Sequence, residues 1–357
     1  MLKNTYNIVG VMSGTSLDGI DFCWVKFSKK EHWSFKILAA ETVAYSAEMK
    51  TKLNTSIALN SNQLDQLNNE YTNYLGHAIR DFIQKHQISN LDAVCSHGHT
   101  VFHQPEKGIT LQIGNLPKLA QQLQQIVVCD FRVQDVAMGG QGAPLVPIGD
   151  ALLFAQYDFC LNLGGFANIS FQHNNQRLAF DVCPANITLN HYVQSKGYSF
   201  DNGGKFAAQG TVHDPLLKAL NSLEFYKKTP PKSLGLELVQ SKVFPLVDSF
   251  DLDTNSVLRT LVEHTATQIA DVLHRYNLSD GLFTGGGALN SFLISRIAEW
   301  SYMKISSAHP DLIHFKEALI FAFLGVLKLR NEVNCLQSVT GATQDHSSGE
   351  IYFPSID

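Results

Sequence analysis

The sequence predicts two mixed α/β domains. Three observations carry that expectation. The chain has 357 residues, enough for two cores of ordinary domain size. A pattern of apolar strand, small-residue turn and second strand occurs twice. It appears at residues 8–12, Ser13-Gly14-Thr15-Ser16 and 22–27, and again at residues 159–163, Gly164-Gly165 and 166–171. In each half, strands come first and helices follow, which fits two α/β layers with a cleft between them.

The elements follow in order. Strands are expected at residues 7–12, 22–27 and 34–42. Leu64, Leu67, Tyr71, Leu75, Ala78 and Phe82 form a one-sided stripe, so residues 64–82 read as a helix capped by Ser61 or Asn62. Strands at 93–96 and 110–113, a helix at 117–125 with Pro117 near its start, and a strand at 126–131 come next. Residues 132–147 are rich in glycine and proline and read as the crossover between domains, or equally as a binding loop. The expected domains are therefore 1–131, joined by the C-terminal residues from about 345 to 357, and 132–344.

In the second half, Asn174-Asn175 suits a reversal between the strand at 166–171 and one at 178–181. Val257, Leu261, Thr265, Ile269, Val272 and Tyr276 share a face of a helix at 256–276. A strand at 281–283 leads into Thr284-Gly285-Gly286-Gly287 and a helix from Leu289. The apolar stretch at 318–327 is about half the length of a membrane span and reads as a buried helix.

Composition narrows the class. Hydrophobic content of 45%, charged content of 17% and a net charge of −5 fit a globular protein and argue against a nucleic-acid or anionic-membrane surface. The start of the chain lacks the pattern of a signal peptide. Six scattered cysteines without a C-x-x-C pair fit a reducing cytoplasm.

Turned backbone N–H groups at small residues make anion-binding concavities, and two such turns half a chain apart imply two halves gripping one phosphate chain. The turn at Gly285, Gly286 and Gly287 opens a helix, whose free N–H groups favour phosphate. It is no Rossmann fingerprint, because Asn290 stands where the third glycine belongs. A tight structural turn is the equal alternative. Neither a Walker A sequence nor a protein-kinase signature is present. Asp181 ends a strand just before Pro184, a place from which a carboxylate can act as general base or merely cap a turn. His97 and His99 alternate on a strand, so both rings are expected on one face, lining a cleft rather than holding a metal. Arg132 sits between Asp130 and Asp135 and suits either a substrate carboxylate or an internal ion pair.

Taken together, five segments resemble the anhydro-N-acetylmuramic acid kinase family. They are Gly10-Val11-Met12-Ser13-Gly14-Thr15-Ser16-Leu17-Asp18-Gly19-Ile20-Asp21, Ser96-His97-Gly98-His99-Thr100-Val101, residues 130–147, Asn162-Leu163-Gly164-Gly165-Phe166-Ala167-Asn168-Ile169 and Phe283-Thr284-Gly285-Gly286-Gly287-Ala288. The resemblance implies the two-domain fold of sugar kinases, Hsp70 and actin, with a nucleotide in the cleft. It implies that ATP phosphorylates O6 of 1,6-anhydro-N-acetylmuramic acid while water opens the anhydro ring, in recycling of cell-wall peptidoglycan. By position in the family motifs, Asp181 is the base. Ser13, Gly14, Thr15, Ser16, Asp18, Gly19, Gly164, Gly165, Asn168, Gly285, Gly286 and Gly287 are nucleotide-side residues. His97, Thr100, Arg132, Asp135, Asn186 and Glu317 are sugar-side residues, with Arg132 for the lactyl carboxylate. Asp18 is expected to order Mg²⁺ through water. The resemblance implies ATP and an amino sugar as ligands, and a homodimer is the family-based expectation; the cytoplasm and the lack of nucleic-acid or membrane partners rest on the cysteines and charge above.

One segment departs from the family pattern. After Asp181 the family commonly has Thr-Gly-Pro-Gly-Asn, whereas this chain has Val182-Cys183-Pro184-Ala185-Asn186. Loss of two glycines removes positive-φ options and close approach. The alternatives it opens are a non-catalytic sensor of sugar or nucleotide and a kinase for another amino sugar.

Overall fold

In the computed structural model, which describes residues 3–14, 17–306 and 308–355, the first three strands form a meander. β1 (Thr5–Ser13) pairs antiparallel with β2 (Gly19–Lys29), and β2 with β3 (Trp33–Ala44). β4 (Ala93–Gln104) then lies parallel to β1 on its other side. β5 (Ile109–Ile113) folds back on β4, β6 (Val127–Cys129) continues the sheet, and the C-terminal strand Glu350–Tyr352 closes that edge.

Both faces of this sheet are covered, which explains why β1 is almost continuously buried. One face takes the Ser61–Lys85 helix, where Phe22 stacks on Phe82 at 5.0 Å. Its N-cap is Asn60, one residue before the expected caps. Asn60 and Gln63 form a reciprocal capping box, which neither Ser61 nor Asn62 offers. The other face takes the Pro310–Leu329 helix. It approaches so closely that a Cβ on Gly10 would lie 2.1 Å from the Ala318 carbonyl oxygen.

The second sheet repeats the first. β7 (Phe159–Leu163), β8 (Phe166–His173) and β9 (Gln176–Pro184) form an antiparallel meander, and β10 (Gly281–Thr284) lies parallel to β7. The order β10-β7-β8-β9 thus matches β4-β1-β2-β3. The Thr254–Tyr276 helix is the central support of this half. Asp253 caps it by accepting from the N–H groups of Asn255 and Ser256. It is buried on more than the one expected face, because both β9 and the Ser291–Ser301 helix pack against it. That second helix begins at Ser291 rather than Leu289. A short 3-10 turn, Gly286–Leu289, comes first, and Asn290 caps the helix through Leu293 N–H.

The chain divides into two compact units, Met1–Leu153 with Phe315–Asp357, and Phe154–His314. The boundaries fall elsewhere than the expected 131/132 and 344/345. Residues 132–147 are not a crossover. They hold the Val133–Ala137 helix and the start of Val146–Leu153, tied to the first unit by side chains. Lys316 pairs with Asp150 at 2.7 Å, both nearly buried, and Thr340 donates to Asp135 at 2.7 Å. These contacts bring the 315–344 segment along. Among the described residues, no helix is long and apolar enough to cross a membrane.

Candidate active site

In the second unit, three predicted segments meet around Asn186. Its side chain donates to Leu163 O at 3.0 Å, and its backbone N–H donates to Gly164 O at 3.2 Å. Gly287 lies beside it, and a Cβ there would stand 3.1 Å from Asn186 Oδ1. Asn186 thus joins the turn between β7 and β8 to the turn after β10 and to the end of β9.

The glycines there differ in kind. Gly285 has φ +78 and no room for a Cβ, with Asn162 Oδ1 2.6 Å away, so the fold itself demands glycine. Gly165 and Gly286 are not left-handed, and added Cβ atoms would meet only Ile187 Cβ at 3.8 Å and Asn186 Nδ2 at 3.9 Å. The protein leaves that space open, and small residues there keep exposed backbone approachable from outside.

Asp181 sits on β9 opposite Asn168, just before a bulge. Ala167 pairs with Cys183 and Asn168 with Asp181, so Val182 is the additional residue. Such a bulge re-aims the neighbouring side chain. Leu234 N–H donates to Asp181 Oδ2 at 2.7 Å, and Asp181 N–H donates to Lys232 O at 3.1 Å. Among the described residues, Oδ1 has no hydrogen-bond partner. Burial raises the Asp181 pKa above the ordinary carboxylate value, and the Leu234 N–H opposes that shift. Sequence reasoning missed the Leu234 segment. Lys232 anchors it, with Nζ 4.5 Å from the Phe225 ring centroid and within 6.0 Å of those of Phe180 and Tyr226. Pro230-Pro231 was the only signal of an ordered strap there.

The altered segment after Asp181 is well accommodated. Neither Cys183 nor Ala185 has a positive φ, and both are fully buried. The expected loss of glycine conformations therefore does not arise.

In the first unit, Ser13 is turned inward. Its Oγ lies 2.6 Å from Tyr45 OH and 2.9 Å from His99 Nδ1, so only its backbone remains for a ligand. Thr15 and Ser16 lie outside the described residues. Asp18 is exposed and pairs with no cation among the described residues. Gly19 is needed for sheet packing, since a Cβ would stand 2.5 Å from Val43 O.

His97 and His99 do not share a face. Gly98 has φ +75, and β4 carries an extra residue against β1 here, so the alternation breaks. His99 faces Tyr71 on the Ser61–Lys85 helix, while His97 packs on Phe321 of the Pro310–Leu329 helix. Desolvation lowers both pKa values, that of His99 to about 4. His97 Nδ1 faces the Gly98 carbonyl at 2.9 Å, so Nδ1 carries the proton and Nε2 accepts from Arg132 Nε at 2.9 Å. Arg132 also donates through Nη1 to Gly142 O at 2.6 Å. Among the described residues, Nη2 is left without a partner. Desolvation brings the guanidinium pKa down to about 10, against the opposing charge of Glu317, and it stays a cation at working pH. Glu317 keeps solvent access, yet surrounding protein raises its pKa while Arg132 opposes the rise. Thr100 lies further along β4, where its hydroxyl accepts from Gln112 Nε2 at 3.4 Å.

Asp135 departs from the expected sugar-side role. It is completely buried and accepts from Gly142 N–H at 2.6 Å, as well as from Thr340. It holds the glycine-rich loop from behind, and so fixes the carbonyl that positions Arg132.

Two α/β units whose sheets share the four-strand order β4-β1-β2-β3 and β10-β7-β8-β9 define the class of sugar kinases, Hsp70 and actin. The family model for anhydro-N-acetylmuramic acid kinase matches residues 6–354, and the chain belongs to that family. It is 34% identical to the anhydro-N-acetylmuramic acid kinase of Mannheimia succiniciproducens, over 99% of this chain and 100% of that protein. It is 36% identical to that of Xanthomonas oryzae pv. oryzae, over 96% of each chain. Among solved structures, the activator of 2-hydroxyisocaproyl-CoA dehydratase from Clostridium difficile with bound ADPNP aligns at TM-score 0.46 and 12% identity. That alignment covers 91% of this chain and 97% of that one.

Proposed function

We propose that this chain uses ATP to phosphorylate O6 of 1,6-anhydro-N-acetylmuramic acid while water opens the anhydro ring. The product is N-acetylmuramic acid 6-phosphate, and the setting is recycling of peptidoglycan in the cytoplasm. The observation that carries the reading is Asp181, with one oxygen held by Leu234 N–H and the other without a partner among the described residues. It stands at the end of a strand in the same unit as the open glycine turns.

A carboxylate so held is oriented to take a proton from water at Oδ1. The water oxygen attacks C1, its proton passes to Asp181, and the C1–O6 bond breaks. O6 leaves with the electron pair of that bond and attacks the γ-phosphorus, releasing ADP. One base thus serves a ring opening of the inverting-glycosidase kind and a phosphoryl transfer. Backbone N–H groups at Gly164, Gly165 and Gly286 offset phosphate charge. Arg132, with His97 and Gly142 O fixing two of its nitrogens, presents Nη2 to the lactyl carboxylate. The neutral His97 leaves that positive charge unduplicated. Glu317 and Asn186 complete the sugar side. Asp18 fits a water-mediated contact to Mg²⁺, being an exposed carboxylate after the first turn, and the ion would supply charge neutralisation at the phosphates.

A non-catalytic sensor gains no support from Val182-Cys183-Pro184-Ala185, because the backbone there does not need glycine. The decisive experiment is turnover of the anhydro sugar with ATP in ¹⁸O-labelled water, followed by mass spectrometry. The expected product carries one label at C1 and none in the transferred phosphate. Phosphorylated sugar with the ring intact would overturn the coupled reaction and favour a simple kinase.

A further inference from the structure

Behind Arg132 lies a cluster that the reaction does not use. Asp135, Cys335 and His346 are 0%, 1% and 7% exposed, and their ligand atoms all lie within 4.8 Å of one another. Asp135 Oδ1 is 2.9 Å from Cys335 Sγ and 3.5 Å from His346 Nε2. We propose that these three residues bind a structural zinc ion.

The chemistry of the His346 ring carries the argument. Nδ1 lies 3.1 Å from Gln344 O, an oxygen that only accepts, so Nδ1 holds the proton of the neutral ring. Nε2 is then a lone pair. It is buried, has no hydrogen-bond partner among the described residues, and faces the Asp135 carboxylate. Asp135 Oδ1 already accepts from the Cys335 thiol and the Thr340 hydroxyl, so the Nε2 lone pair is the unmet buried acceptor, and a cation beside the carboxylate would supply its partner. A histidine whose Nδ1–H is fixed by a backbone carbonyl is also the usual orientation for metal ligation through Nε2.

Ligand type and spacing select the metal. A thiolate, an imidazole and a carboxylate suit zinc rather than magnesium or calcium. Tetrahedral zinc, with bonds of about 2.0–2.3 Å, separates its ligand atoms by roughly 3.5 Å, so the three atoms need only small shifts. The backbone already holds two of the ligands side by side. Cys335 and His346 form an isolated antiparallel bridge, each donating its N–H to the other's carbonyl at 3.1 Å. Thr340 Oγ1, 2.7 Å from Asp135 Oδ1 and 3.9 Å from Cys335 Sγ, stands near the fourth position, which it or a water fills. Binding forms the Zn–S bond and releases the thiol proton to solvent. The ion would clamp the 335–346 segment to the Val133–Ala137 helix, and through Gly142 N–H would steady the loop that aims Arg132.

The test uses the full chain, stripped with a chelator and titrated with Co²⁺ and then Zn²⁺. One cobalt per chain is expected, with a sulfur-to-cobalt charge-transfer band and tetrahedral visible bands, both displaced by zinc. Cys335→Ser should abolish the charge-transfer band. His346→Gln should weaken binding by about 100-fold or more, with circular dichroism showing both variants folded. Wild-type protein without a charge-transfer band overturns the proposal. So does a His346 ring found doubly protonated by ¹⁵N NMR, which makes a proton the cation. Undiminished binding in both variants overturns it as well and needs no assumption about folding.

Discussion

Replacing Gly165 by alanine separates the two reasons for which a chain keeps glycine. The new methyl would meet only Ile187 Cβ at 3.8 Å, ordinary contact, and the backbone is not left-handed. Folding should therefore gain roughly 0.4–1 kcal/mol from a stiffer unfolded chain. A nucleotide phosphate approaching the same backbone would meet the methyl instead. A hydrogen bond to a charged group is worth about 1.5–3 kcal/mol, so losing one weakens ATP binding by about 10- to 150-fold. The assay is the KM for ATP from ADP release, with melting curves with and without an ATP analogue. Gly165→Ala should melt at or above wild type and show the raised KM. Gly10→Ala is the control, since its Cβ would stand 2.1 Å from Ala318 O and overpacking there costs about 1–3 kcal/mol. It should melt lower with KM little changed. Wild-type KM and kcat in Gly165→Ala would refute a phosphate role for this turn.

The remaining predictions concern the base, the anchor and acid stability. Asp181→Asn should lower kcat by about 10²- to 10⁴-fold. Burial raises the Asp181 pKa in the folded chain, so any stability it contributes is present at low pH and is lost as pH rises through that value. The variant should consequently melt no lower than wild type at pH 8, checked by calorimetry. In wild type, kcat/KM should fall at acid pH with a limb above the ordinary aspartate value, and a limb at or below that value would count against Asp181 as the base. Arg132→Lys keeps the charge but not the fork, and should raise KM for the anhydro sugar by about tenfold or more with ATP KM unchanged. Unchanged sugar KM in steady-state kinetics would remove Arg132 from the lactyl site. Burial holds the His99 pKa at about 4, so the stability it gives is present above about pH 6.5 and lost as pH falls toward 4. That loss is about 3 kcal/mol, and urea titrations across the window should show a smaller loss in His99→Gln.

Much of this architecture is written locally. The antiparallel pairs β1–β2 and β7–β8, and the stripe from Leu67 to Phe82, follow from strand pattern and helical period, and the structure has them. What required the third dimension was partnership. The glycine and proline density of residues 132–147 signals turns but not which sheet they join, and Lys316–Asp150 decides it. The apolar run at 318–327 announces burial without naming the covered face. A carboxylate such as Asp135 reads identically in sequence whether it meets a ligand or four buried donors and neighbours. The His97 and His99 expectation failed because strand alternation holds only while φ stays negative, and Gly98 is at +75. The Asn186 junction and the Lys232 strap join residues far apart in the chain, and no local pattern encodes them.

Gly98 has a mechanical consequence. The ring that braces the root of the first turn and the ring that aims the guanidinium hang from consecutive links on either side of it. His97 and His99 flank that one residue, so the hydrogen bonds to Arg132 and to Ser13 both depend on its backbone conformation. A side chain there, 2.6 Å from Ile113 O, would unseat both at once. One position in this strand keeps two distant duties in step.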